Sequence, residues 1–176
     1  MEETPFISFI IPVYNVPTEM LCECLVSIIR LSLRKSEREI IVVDDGSQVS
    51  PLGALNNYLD DIIYIRQKDG GLGCARNRGL QNATGQYIQF VDADDALITN
   101  QYEHCLDIAR FKGPDMVMFE FSRQDQSQKV YADQKAATGR YLLRHQNIKA
   151  TACGYLFKAT ILGNLRFTTG IYHEDS

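Results

Sequence analysis

The chain has 176 residues and a mass of 19.9 kDa, 45% hydrophobic and 23% charged, the balance of one soluble globular domain with a single core. That excludes wholesale disorder, collagen-like sequence and a membrane bundle. A net charge of -4 and a pI near 5.4 leave no basic field to gather nucleic acid or anionic lipid, so any polyanion must be held by a local device such as backbone amides or a metal ion.

Met1-Glu2-Glu3-Thr4-Pro5 is acidic where a signal peptide would be basic, and the apolar stretch Ile7 to Val13 is too short to span a bilayer, so the expected location is cytoplasmic. Phe6 to Ile11 is a dense apolar run that reads as a buried strand stopped by Pro12. After Pro17, with Thr18 as candidate N-cap, Leu21, Leu25, Ile28 and Ile29 recur at helical spacing. Glu39 to Val43 predicts a second buried strand. Ser50-Pro51 opens a short helix to about Leu59, and Ile62 to Ile65 is a third strand. Cys74 to Gln81 predicts a helix, Tyr87 to Val91 a fourth strand, Thr99 to Lys112 a helix ended by Gly113-Pro114, and Met116 to Phe121 a fifth strand. Ser122 to Ala137 turns polar and Gln-rich, a surface excursion or hairpin. Thr151 to Phe157 and Ile161 to Phe167 carry core-like residues without a firm assignment. Strands alternating with helices imply α/β architecture, with a mostly parallel central sheet and helices on both faces.

Cys22, Cys24, Cys74, Cys105 and Cys153 are an odd set without zinc-ligand spacing, and fit scattered reduced thiols.

Ligands of such sheets sit outside the carboxyl ends of the strands, so the residues following each strand are the candidates. The first strand leads into Pro12-Val13-Tyr14-Asn15, either a simple strand-ending turn or an aromatic face with an amide beside it. The second leads into Asp44-Asp45-Gly46-Ser47. Two adjacent carboxylates repel unless donors or a ligand sit nearby, and an Asx turn and a contact to a base N–H or ribose hydroxyl both stay open. The third leads into Lys68-Asp69-Gly70-Gly71-Leu72-Gly73, glycines that free backbone amides ahead of a helix, with Arg76 and Arg78 placing positive charge nearby. Arg76 stands where a dinucleotide fingerprint needs its third glycine. The fourth leads into Asp92-Ala93-Asp94-Asp95. In extended chain, residues two apart share a face, which would pair Asp92 with Asp94 as hard oxygen ligands for Mg²⁺ or Mn²⁺; the alternative is a solvated acidic turn.

Phe9 to Asn15, Ile41 to Ser47, Gly70 to Leu80 and Gly85 to Asp95 together resemble, in order and spacing, the family 2 glycosyltransferases of the GT-A fold, whose core is a Rossmann-like nucleotide-binding sheet. Tyr172-His173-Glu174-Asp175 resembles the Glu-Asp motif that usually follows in that family. The resemblance implies an inverting transfer of a sugar from a nucleoside-diphosphate donor, a UDP-sugar favoured, to a glycan or lipid-linked acceptor hydroxyl in cell-surface or exopolysaccharide synthesis. It implies that Pro12, Tyr14 and Asn15 line the nucleotide pocket, and that Asp45, or its neighbour Asp44, binds the base N–H. It places Arg76 near the nucleotide. It further implies that Asp92 and Asp94 form the Asp-x-Asp element that binds ribose or donor sugar and Mn²⁺ or Mg²⁺, and that Asp175 is the general base. Residues 1–121 are then the nucleotide-sugar-binding core and 122–176 the start of the acceptor side, in one domain that reads as truncated. Family members carry further acceptor-binding elements and often membrane-associated helices, so the full-length protein is expected to sit peripherally at the inner face of the membrane. The competing readings are a nucleotide-sugar-binding remnant without transfer activity, and a sugar-phosphate nucleotidyltransferase. The second would need a Gly-rich basic loop after the first strand, where Pro12 to Asn15 stand.

Overall fold

The apolar run at the start of the chain forms β1 (Ile7–Val13), and every residue of it is buried. A computed structural model describes residues 4–122, 133, 135–145 and 151–170. The remaining elements in chain order are α1 (Thr18–Ile29), β2 (Arg38–Asp44), β3 (Ile63–Arg66), α2 (Leu72–Asn82), β4 (Tyr87–Phe90), α3 (Thr99–Lys112), β5 (Met116–Met118), α4 (Gly139–His145), β6 (Tyr155–Lys158) and α5 (Ala159–Leu162). They build one sheet in the order β3-β2-β1-β4-β6-β5. β1 runs parallel to β2 and β4, and β2 parallel to β3, while β6 is antiparallel to both β4 and β5.

The period of two along β1 sorts its side chains to two faces. Ile7, Phe9, Ile11 and Val13 join a core with Leu21, Leu25 and Ile28 of α1 and Tyr102, Leu106 and Ala109 of α3. Ile10 joins the opposite core, beneath Ala75 of α2. Helices therefore cover both faces, as a buried parallel sheet requires. α2 lies so close to β1 that a Cβ on Gly79 would collide with Ile10 Cγ2.

Several elements differ from the sequence-based expectation. β1 does not stop at Pro12; it runs through to Val13, with Pro12 in register with Val43. Val91 N–H donates to the Ile10 carbonyl, so the backbone at Ile10, and by alternation at Pro12, faces the β4 side. The β4 ladder ends at Phe90, level with Ile10, and the N–H that Pro12 lacks has no strand to meet. α1 begins at Thr18, with Pro17 as the cap, its carbonyl accepting from the N–H groups of Met20 and Leu21. The helix expected after Ser50 is two 3₁₀ turns, Pro51–Gly53 and Asn56–Tyr58, in a stretch where Gly53, Asn56 and Asn57 all disfavour longer helix. β5 ends at Met118, and the segment after Thr151 supplies β6. Most of the polar stretch 122–137 lies outside the described residues.

The polar group at the centre of the sheet is fully paired. Gln89 in β4 is 0% exposed; its Nε2 donates to the carbonyls of Cys153 and Phe90, and its Oε1 accepts from Tyr102 OH. This network ties α3, β4 and the turn before β6 together. Burial holds the Tyr102 phenol well above its usual range, so it stays a neutral donor. Among the described residues no helix is long and apolar enough to cross a membrane.

Candidate functional site

β1, β2, β3 and β4 are parallel, so their carboxyl ends share one edge of the sheet. From β1 the chain builds outward through β2 to β3, then returns to place β4 on the other side of β1. Connections on the two sides of β1 therefore diverge, and the rule for parallel sheets puts the ligand crevice at the ends of β1 and β4. Tyr14, 51% exposed, stands at the end of β1. Asn15 follows in the left-handed region at φ 53°, a conformation that Asn tolerates better than most residues. Its N–H donates to Ser47 Oγ at 3.0 Å, and its Oδ1 accepts from Gln48 N–H at 2.8 Å, so the β1 and β2 loops are bolted to each other.

The adjacent carboxylates at the end of β2 escape mutual repulsion by having separate donors. Asp44, 0% exposed, accepts from Ser47 N–H at 2.9 Å and from Tyr64 OH at 2.7 Å, and pairs with Arg66 at 3.1 Å. It is an internal anchor whose oxygens are all engaged. Asp45, 3% exposed, accepts from Gln67 Nε2 at 2.7 Å and from Gly70 N–H at 3.1 Å. That second contact joins the β2 loop to the glycine loop after β3. The two loops touch closely at Gly46 (φ 78°), where a Cβ would lie 2.7 Å from the Asp69 nitrogen.

The glycine amides expected to face an anion are engaged by the protein's own carboxylates. Gly70 N–H goes to Asp45, and Gly71 N–H goes to Asp69 Oδ1 at 3.2 Å. The two arginines of α2 also part company. Arg78 is exposed and donates to Gln81, whereas Arg76 is 1% exposed and turns into the protein. Its Nη2 lies 3.4 Å from Asp92 Oδ1 and 3.8 Å from Cys153 Sγ.

The acidic segment after β4 is turned, not extended. Asp95 N–H donates to the Asp92 carbonyl at 3.0 Å, and Ala93 is buried beneath the turn. The same-face argument for Asp92 and Asp94 therefore does not describe this segment; a β-turn gathers the acids instead. Asp92 keeps 39% of its side chain exposed, and Asp94 and Asp95 are exposed. Their shared field is felt nearby. Partial burial, then Asp92 and Asp94, raise the Asp95 carboxyl above its usual range. The Cys24 thiol, which donates to the Asp92 carbonyl at 3.7 Å, is pushed up to about 12 by burial and then by Asp95, Asp92 and Asp94. Cys24 is thus a neutral packing residue at the foot of the turn.

Among the described residues no three His, Cys, Asp or Glu side chains form a ready-made metal cage. Mg²⁺ is commonly held by one or two carboxylates together with substrate phosphates and water. The open carboxylates of Asp92 and Asp94 fit that donor set. Asp175 lies outside the described residues.

The structure also supplies residues that sequence reasoning missed. Tyr64, Arg66 and Gln67 orient the two β2 aspartates, and their positions at the end of the third strand were the available signal, since parallel neighbours share an edge. Asn77 and Phe167 meet across the protein, and nothing local in either segment signalled that pairing.

The family model of glycosyl transferase family 2 matches residues 8–166 of this chain. The chain is also 33% identical over 141 residues to the poly(ribitol-phosphate) beta-glucosyltransferase of Bacillus spizizenii, which covers 76% of this chain and 20% of that protein. Among solved structures, S. aureus TarS residues 1–349 in complex with UDP-GlcNAc superposes with a TM-score of 0.74 at 21% identity, over 93% of this chain and 48% of that one. The mannosyltransferase PcManGT of Pyrobaculum calidifontis, in complex with GDP-Man and Mn²⁺, superposes with a TM-score of 0.71 at 20% identity, over 98% of this chain and 50% of that one. The chain spans between about a tenth and just over half of the length of the curated relatives it matches. The fold is that of the GT-A glycosyltransferases, and the chain belongs to glycosyl transferase family 2.

Proposed function

We propose that this chain carries the donor-binding half of an inverting glycosyltransferase that takes a nucleoside-diphosphate sugar, a UDP-sugar first, and passes the glycosyl group to an acceptor hydroxyl of a cell-surface glycan. The observation that carries this reading is the placement of exposed Tyr14 at the end of β1 and of the open carboxylates of Asp92 and Asp94 after the neighbouring β4, where the strand order reverses. An aromatic face suits a nucleobase, and oxygen donors suit a divalent cation with a diphosphate. Relatives support the choice of ligand: TarS holds UDP-GlcNAc, PcManGT holds GDP-Man and Mn²⁺, and the Bacillus relative is named for poly(ribitol-phosphate). We place the enzyme in the cytoplasm at the inner face of the membrane, where such donors and lipid-linked acceptors meet.

In this reading Tyr14 stacks on the base beside Pro12 and Asn15. Asp45, oriented by Gln67 and Gly70, accepts from the base N–H. Asp44 acts behind it, holding Ser47 and through it Asn15. Asp92 meets ribose or donor sugar, and Asp92 and Asp94 would hold Mn²⁺ or Mg²⁺. When bound, that ion supplies positive charge where the departing diphosphate gains negative charge. Asp175 takes the proton of the attacking hydroxyl, from the side of the sugar opposite the leaving group.

Thermal unfolding with UDP and GDP, each with Mn²⁺ and with excess EDTA, tests the reading. At about a hundred times its dissociation constant, the bound nucleotide should add roughly 2.7 kcal/mol of stability in Mn²⁺. Equal stabilisation in EDTA would remove the metal from the site, and none in either condition would remove the nucleotide.

A further inference from the structure

Asn77 and Phe167 are 90 residues apart and joined by two hydrogen bonds: Asn77 Nδ2 donates to the Phe167 carbonyl at 2.9 Å, and Phe167 N–H donates to Asn77 Oδ1 at 2.9 Å. A side-chain amide offers donor and acceptor side by side, as a peptide group does, so this pair acts as one rung of a ladder. It fixes both the position and the direction of the chain at Phe167.

The ring held there meets Arg76. The guanidinium carbon lies 5.2 Å from the Phe167 centroid and 6.0 Å from that of Phe90, and the two rings meet edge to face at 5.3 Å. Guanidinium groups bind aromatic faces with their own planes and keep their N–H edges for polar partners. Here an edge reaches Asp92 Oδ1 at 3.4 Å, long for a charge-assisted hydrogen bond and therefore sensitive to small shifts of the cation.

The geometry points to Asn77 and Phe167 as positioning residues for Asp92. The amide clasp seats the Phe167 ring, the ring seats Arg76, and Arg76 sets the direction of the Asp92 carboxylate at the mouth of the crevice. A chain segment near residue 167 thus controls an acid at the end of β4. This rests on the donor-binding function proposed above, in which the Asp92 carboxylate meets the ligand.

The test is a Mn²⁺ titration of the 176-residue protein at saturating UDP, for the parent, Asn77→Ala, Phe167→Leu and Phe167→Tyr, with a melting curve for each. Phe167→Leu keeps the apolar bulk but removes the aromatic face; Phe167→Tyr keeps the face. Loss of an orienting partner typically weakens metal binding about tenfold or more, and that loss is expected for Asn77→Ala and Phe167→Leu, with Phe167→Tyr close to the parent. A purely structural clasp would lower the melting temperature and leave the Mn²⁺ midpoint in place, which overturns the inference. So does equal weakening in Phe167→Leu and Phe167→Tyr. If Asn77→Ala does not fold, the Phe167 pair decides. A parent protein that binds no UDP in Mn²⁺ removes the proposed function itself, and is seen before any variant is compared.

Discussion

Asp44 and Asp45 are neighbours in sequence with different tasks, and the difference lies in what points at each. Asp44 accepts from Ser47 N–H and Tyr64 OH and pairs with Arg66 in a fully buried position. Asp44→Asn should therefore destabilise the protein by about 1–3 kcal/mol, because an amide cannot accept from every donor there. For a protein of this size that corresponds to a fall of roughly 2–12 °C in melting temperature. Asp45→Asn should lose nucleotide affinity beyond any loss of stability, and a calorimetric titration with UDP at a temperature where both proteins are folded separates the two. Unchanged affinity would move base recognition elsewhere. Asp175→Asn should lower the transfer rate by about 10²–10⁴-fold with UDP affinity unchanged, since Asn keeps the size but cannot take a proton. Full transfer by that variant would redirect the search to another acid. The candidate residues were legible in the sequence as polar types after strands. Their division of labour was not, because it depends on Tyr64, Arg66, Gln67 and Gly70, which only strand register brings to the two carboxylates.

At the scale of elements, the buried strands and long helices were legible because their apolar patterns are dense: β1, β2, β4, α1 and α3 all fall within a few residues of the expected positions. What the sequence did not reveal was β6, a short strand whose place is set by pairing with Tyr87 to Gln89 and not by its own composition. The docking of α2 on β1 makes a sharp prediction. Gly79→Ala places a methyl group against Ile10 in a close-packed interface and should cost about 1–3 kcal/mol, read from denaturant unfolding. A second prediction concerns the far end of the sheet. Glu37 accepts from the Arg34 backbone and side chain and pairs with Arg110 of α3, which itself lies over the Phe6 ring. These partners, the Arg34 bonds foremost, hold the Glu37 carboxyl down at about 2. A depressed carboxyl adds stability above its unfolded value near 4.5 and loses it as pH falls through about 2. Glu37→Gln should thus flatten the acid limb of the stability curve in that window, by no more than about 1 kcal/mol because solvent screens the pair. An identical acid limb in the variant would mean that the pair contributes nothing.

For the whole molecule, a net charge of -4 and an acidic turn at the crevice mouth oppose any free diphosphate, which is why stabilisation by UDP should vanish in EDTA and weaken as Mn²⁺ is lowered. The fold class was legible from the alternation of strand and helix patterns, and the position of the crevice from the rule for parallel sheets. The strand order that makes the crevice was not, because sequence alone does not say on which side of β1 the fourth strand returns. That order has a further consequence in the time domain. β6 sits between β4 and β5, yet among the described strands it is the last to leave the ribosome. Until residues 155–158 emerge, β4 lacks the described partner of its outer edge and β5 lacks its described partner strand. Nascent chains caught in that interval present a row of free amides and carbonyls beside some of the most apolar sequence in the protein, a template for another chain.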